Sequence, residues 1–222
     1  MARRRPRQLS LPSPPTWGGR RAGAGRKPSQ PRPERRHVAR PTHDARHPVH
    51  VTVRAQRNLP SLRSIATFAA LADALARANR RRFRLTHFSV QTDHLHLIVE
   101  AVSREALIRG LQGLAGRTAR AVNRLWNRTG KVWSSRYHAH ALTTPSEVRN
   151  ALVYVLLNFR KHLRAMPGVD PRSSGPWFDG WSAPPVAPAA RPPTVSPQTW
   201  LGATGWRRAG GLIGPAEKPA AR

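Results

Sequence analysis

Cysteine is absent from the 222 residues, which excludes disulfides, thiolate nucleophiles and cysteine-based zinc sites. Carboxylates are scarce, with 10 Asp and Glu against 39 Lys and Arg. So few acids argue against chemistry run by an acidic cluster around two metal ions. No apolar run reaches membrane-spanning length, and no long amphipathic basic helix dominates to favour the rival partner, an anionic membrane surface, so no membrane partner is expected. The opening Met-Ala-Arg-Arg-Arg-Pro-Arg lacks the apolar core of a secretory signal, which makes the cytoplasm the expected location.

What is present in excess is positive charge, +29 in total and almost all of it arginine. Cations on this scale gain affinity for a polyanion by displacing counterions from phosphates, and nucleic acid is the commonest such partner. Residues 1–46 are rich in Arg, Pro, Gly and Ser without periodicity and read as a disordered basic leader. Within it, Arg20, Arg21, Arg26 and Lys27 alternate with small residues, a pattern that suits a phosphate track or a minor groove. A solvated basic tail is the alternative.

From residue 47 hydrophobic periodicity begins. His50-Val-Thr-Val-Arg54 alternates and is β-branched, as a strand requires. Ser64 is placed to cap a helix to about Asn79, with Ile65, Phe68, Ala72 and Leu75 on its apolar face. Two further strands follow, Arg84–Val90 and His94–Glu100, turned by Gln91-Thr-Asp93. Ser103 opens a helix to about Trp126 that buries Leu107, Leu111, Leu114, Val122 and Leu125. Its outer side carries Arg104, Arg109, Arg117, Arg120 and Arg124, either a phosphate-tracking surface or a solvated one. Lys131–Leu142 reads as a strand, and Thr144, Pro145 and Ser146 start a last helix to about Leu163 with Val148, Leu152, Val155, Phe159 and Leu163 inward.

The order β-α-β-β-α-β plus a helix predicts an α+β, ferredoxin-like antiparallel sheet with helices on one face and an extra C-terminal helix. The predicted domain spans 47–165. Trp177, Phe178 and Trp181 suggest a docked segment over 166–184, and the Pro-rich remainder, 185–222, reads as disordered.

Alternation puts His94 and His96 on one face of their strand, so two imidazoles can grip one divalent ion or serve as two structural histidines. His138 and His140 form a second such pair in a more polar strand, placed to meet phosphate or to sit near the site. Tyr154 and Asn158, four residues apart, share one side of the last helix and lie off its core stripe. A tyrosine at the core edge and a solvated amide is the alternative.

These residues resemble those of a known family. Asp93-His-Leu-His-Leu-Ile-Val99 is similar to the metal-binding strand of single-tyrosine HUH transposases, of the insertion-sequence-200 and REP-associated kinds. Gly130-Lys-Val-Trp-Ser-Ser-Arg-Tyr137, the Tyr154-x-x-x-Asn158 helix, the leader from Gly18 to Pro28 and Ser173–Trp181 resemble further segments of the family in order. Phe159 stands where REP-associated members usually carry Pro.

The resemblance implies a metal-dependent enzyme that cleaves and rejoins single-stranded DNA through a 5′-phosphotyrosine. Tyr154 would be the nucleophile, and His94, His96 and Asn158 the ligands of Mg²⁺ or Mn²⁺. Hairpin or single-stranded DNA would be the partner, with Arg136, His138 and His140 as further contacts. A homodimer is implied, and no nucleotide cofactor is needed. The phenol would need help to ionise, with His87, His138 and Arg136 as candidates. Two rivals are a non-catalytic nucleic-acid-binding module on the same fold and an RNA-binding domain. The latter requires exposed aromatics on the central strands, where Phe88 alone is available.

Overall fold

The computed structural model describes residues 42–134, 137–157, 159, 168–186 and 188–218. Its strands are β1 (Val49–Arg54), β2 (Phe83–Val90), β3 (His94–Ala101) and β4 (His138–Ala141). Its main helices are α1 (Ile65–Ala76), α2 (Arg104–Leu125) and α3 (Pro145–Leu157). The sheet runs β2-β3-β1-β4 with every neighbouring pair antiparallel, so the expected ferredoxin-like order holds.

Register decides which side chains share a face. Val49, Val51 and Val53 lie opposite Val99, Leu97 and Leu95, and this apolar face packs with Leu85 and Phe88 under α1 and α2. The other face carries His50, Thr52, His96 and Ile98 and lies toward α3. Phe88 is fully buried beneath the helices, which removes the stacking platform that an RNA-binding sheet needs.

Ser64 caps α1 as expected, its hydroxyl accepting from the Thr67 amide. The buried face is Thr67, Leu71, Ala74 and Leu75, however, while Ile65 is 78% exposed. Leu62, just ahead of the helix, fills the core position expected of Ile65. In α2, capped by Ser103, the expected stripe is buried except for Leu125. Trp126 packs against the core there instead and donates its indole N–H to the Thr67 hydroxyl. The strand expected over 131–142 is much shorter. Val132 and Trp133 dip into the core, Trp133 donating to the Ala115 carbonyl, and regular pairing begins only at His138.

A capping box starts α3: Glu147 accepts from the Thr143 and Thr144 amides while its own amide donates to the Thr144 hydroxyl. A one-sided core stripe was expected, yet Val148, Ala151, Leu152, Val153, Val155, Leu156, Leu157 and Phe159 are all buried; Leu163 lies outside the described residues. The reason is a second layer. Phe178, Trp181, Leu201, Trp206 and Ile213 join α3 and Ile98 in one apolar cluster. The expectation of disorder from 185 onward is therefore corrected over 188–218. There Thr199 caps a single helical turn, Trp200–Ala203, and Arg149 clasps Glu217. Structure also begins ahead of residue 47, since His43 Nε2 lies 2.8 Å from the Ala101 carbonyl oxygen.

Candidate active site

Alternation along β3 does bring His94 and His96 together, with their Nε2 atoms 3.0 Å apart. Each ring is held from behind. His94 Nδ1 lies 2.6 Å from an Asp93 carboxylate oxygen, and His96 Nδ1 lies 3.2 Å from the Thr52 hydroxyl of β1. If each Nδ1–H donates to that oxygen, both Nε2 lone pairs face the same gap, the arrangement by which outer partners orient metal-binding imidazoles. Two nitrogens at about 2.1 Å from one cation and at right angles to each other stand about 3.0 Å apart, so this donor pair fits a divalent ion. Among the described residues no group of three or more His, Cys, Asp or Glu side chains is placed to hold a metal. The amide expected to complete the set, Asn158, lies outside those residues.

Burial disfavours ionisation of Asp93, but the hydrogen bond from His94 and the charges of His94 and Arg54 outweigh it and hold the carboxyl below its ordinary value. Arg54 Nε is 3.4 Å from the other Asp93 oxygen. Asp93 thus stays an acceptor for His94 at neutral pH.

Tyr154, half-buried on α3, meets this pair across the sheet face. Its ring centroid is 4.9 Å from that of His96, edge to face. Phenol and imidazoles therefore share one side of the sheet within a single chain.

The same face holds a residue that the sequence did not single out. His50, buried in β1, lies 5.4 Å from the His96 ring and 5.8 Å from the Tyr154 ring, centroid to centroid. Its parity in β1 matches that of Thr52, but only the β1–β3 register reveals that this parity faces His96. Thr52 escaped notice for the same reason.

The other expected contacts divide. His138 lies opposite Thr52 and His140 opposite His50, so the second histidine pair shares the site's face on edge strand β4, exposed. Arg104, Arg109, Arg120 and Arg124 are exposed and Arg117 half-buried, all on α2 and across the sheet from Tyr154. Arg136 and the leader residues Arg20, Arg21, Arg26 and Lys27 lie outside the described residues. Of the candidate bases, His87 is buried edge-on against Phe178, and burial pushes its pKa down to about 4.

Residues 49–155 match the family model described as "Transposase IS200 like". The domain so defined belongs to the family of IS200-like transposases, enzymes that process DNA. Among solved structures, a REP-associated tyrosine transposase bound to a REP hairpin is similar in fold, with a TM-score of 0.52 at 18% identity over 62% of this chain and 81% of that one. A proposed transposase from Deinococcus radiodurans R1 aligns at a TM-score of 0.38 and 17% identity, over 50% of this chain and 86% of that one. No curated protein matches the chain. Among the described residues no helix is long and apolar enough to cross a membrane.

Proposed function

We propose that this chain is a DNA strand transferase that cleaves and rejoins single-stranded DNA, with Tyr154 as nucleophile and Mg²⁺ or Mn²⁺ held by His94, His96 and Asn158. The observation that carries it is the Tyr154 ring 4.9 Å from His96, whose Nε2 faces that of His94 at 3.0 Å. A bound cation would offset charge developing on the scissile phosphate. The protein's own part is to hold two imidazoles through Asp93 and Thr52 and to present the phenol on the same face. The Tyr154 oxygen forms a bond to phosphorus, and the bond from phosphorus to the 3′ oxygen breaks. The departing strand leaves as a 3′ hydroxyl, and the 5′ phosphate stays on the tyrosine. The phosphodiester energy is retained, so another 3′ hydroxyl can reverse the step without a nucleotide cofactor. DNA hairpins with unpaired flanks are the substrate class, by analogy with the hairpin on the structural neighbour. In a homodimer each chain would already bring a phenol to its own histidine pair. The cytoplasm is the proposed location.

The test is incubation of the full chain with labelled hairpin DNA and Mg²⁺ or Mn²⁺, wild type against Tyr154→Phe. A DNA-linked band that survives denaturation is expected in the wild type alone. The same band in both would remove Tyr154 from the chemistry. Binding without an adduct in either would favour the non-catalytic module.

A further inference from the structure

The end of the sheet far from His94 holds a cavity of about 610 Å³ that the chemistry above does not use. It lies where β3 finishes and β1 begins, and Arg84, Ala101, Val102, Thr143, Trp200 and Leu201 are among its walls. Trp200 is 52% exposed, an unusual state for an indole in a segment that is otherwise anchored. It is nonetheless held in place. The Arg208 guanidinium sits 5.1 Å from its ring centroid, and the ring packs so closely on Gly205 that a Cβ there would meet it at 2.8 Å.

The charge around this cavity favours an anion with an apolar face. Arg84 lines it with no hydrogen-bond or ion-pair partner for its side chain among the described residues. Arg46 also lines it, tied to Asp44. The carboxylate on the wall, Glu100, is committed, accepting from the Gln198 and Thr199 amides and the Thr199 hydroxyl. A half-exposed aromatic wall beside guanidinium groups is the chemistry that stacks nucleobases while holding their phosphates.

The edge of the sheet connects cavity and site. His138 lies opposite Thr52, which holds His96; His140 follows on the same face, and Thr143 at the end of this run lines the cavity. β4 is the outermost strand, so both imidazoles are exposed along that edge. One carboxylate faces the run, Glu147, 4.0 Å from His140 and capped by the Thr143 and Thr144 amides. From His94 to Ala101 is seven residues of strand, about 24 Å. Bases stacked about 3.4 Å apart span that in about seven nucleotides, and an extended strand in fewer.

We propose that the unpaired DNA strand leaves the His94–His96–Tyr154 face along the His138–His140 edge and inserts one base into the cavity beside Trp200. This rests on DNA being the substrate, as proposed above, but not on the tyrosine chemistry. The second histidine pair then acquires a role as a phosphate track.

The experiment measures equilibrium binding of the full chain in EDTA, so that no cleavage occurs, to hairpins with unpaired flanks carrying one abasic site at each of the first seven positions from the cleavage point. One position is expected to lose between about fivefold and a hundredfold in affinity in the wild type. Trp200→Ala should lose as much on the intact flank and show no position dependence. Trp200→Phe should retain most of the affinity, and His138→Ala/His140→Ala should weaken flanked hairpins more than bare ones. A flat abasic profile in wild-type protein would overturn the proposal, and so would an equal loss by Trp200→Ala on hairpins without a flank. Unchanged melting temperatures of the variants exclude a folding effect. A position-dependent profile without a covalent adduct would leave this site standing while the strand-transfer function fell.

Discussion

Replacing Thr52 by Val tests the claim that the histidine pair is oriented for a cation. The two side chains match in shape and both suit a strand, so β1 should be undisturbed. What disappears is the hydroxyl 3.2 Å from His96 Nδ1, on a half-buried side chain. His96 is buried among His94, His50 and Tyr154, so water reaches its Nδ1 poorly, and the ring loses the hydroxyl that holds it from behind. Loss of such an outer partner lowers metal affinity by about 10- to 100-fold, about 1.4–2.8 kcal/mol. Asp93→Asn should fall at the lower end of that range, since Asp93 is over half exposed and water can replace its carboxylate. Titration of DNA-free protein with Mn²⁺, read by calorimetry or by the electron-spin signal of free ion, measures both. His94→Ala serves as the reference for full loss. Should Thr52→Val bind Mn²⁺ as wild type does while His94→Ala does not, the hydroxyl does not orient the ring.

Stability offers two further checks. Asp170 is fully buried and takes two hydrogen bonds of 2.8 Å from Arg63, which also donates to the Val90 carbonyl; Asp170→Ala leaves that guanidinium without its partner and should cost about 3–5 kcal/mol in urea unfolding, whereas Arg77→Ala, which breaks an exposed pair with Asp73, should cost under about 1. His87 has its pKa pushed down to about 4 by burial, so between about pH 6.5 and 4 the unfolded chain binds a proton that the native chain does not, and native stability falls as pH drops through that window. The drop attributable to His87 is about 3 kcal/mol, and His87→Gln should flatten the slope of unfolding free energy against pH there; an unchanged slope would refute it.

How much of this was legible in the sequence follows from the range of the interactions. His94 and His96 facing one way is a matter of strand parity, which a single segment reveals. Ser64 and Ser103 as caps are equally local. The approach of Tyr154 to His96 needs β3 and α3 to lie face to face, and the place of His50 and Thr52 needs the β1–β3 register; neither is written in any one segment. The C-terminal layer escaped because Leu201, Trp206 and Ile213 are spaced irregularly among Pro and Gly, so no period marks them, although each is buried. Ile65 and Leu125 were misplaced because each is the terminal residue of its helix, where Leu62 and Trp126 cover the core instead.

The sheet also separates two positive surfaces that a linear reading merges. Arg109 and Arg117 of α2 join Arg80 and Arg82 around a groove of about 440 Å³, with one carboxylate, Glu105, on its wall. This groove belongs to the α1–α2 layer, whereas Tyr154 lies across the sheet, so a phosphate held by these arginines is not the phosphate that meets the phenol. Reversing charge with Arg109→Glu/Arg117→Glu should therefore weaken DNA binding and flatten the dependence of log affinity on log salt by about 1 for each phosphate that the groove no longer holds. The rate of adduct formation at saturating DNA should not change, because the imidazole–phenol set is untouched. The outcome that would break this separation is a large fall in that saturated rate with unchanged affinity, since it would mean that α2 acts on the chemistry and not on the grip.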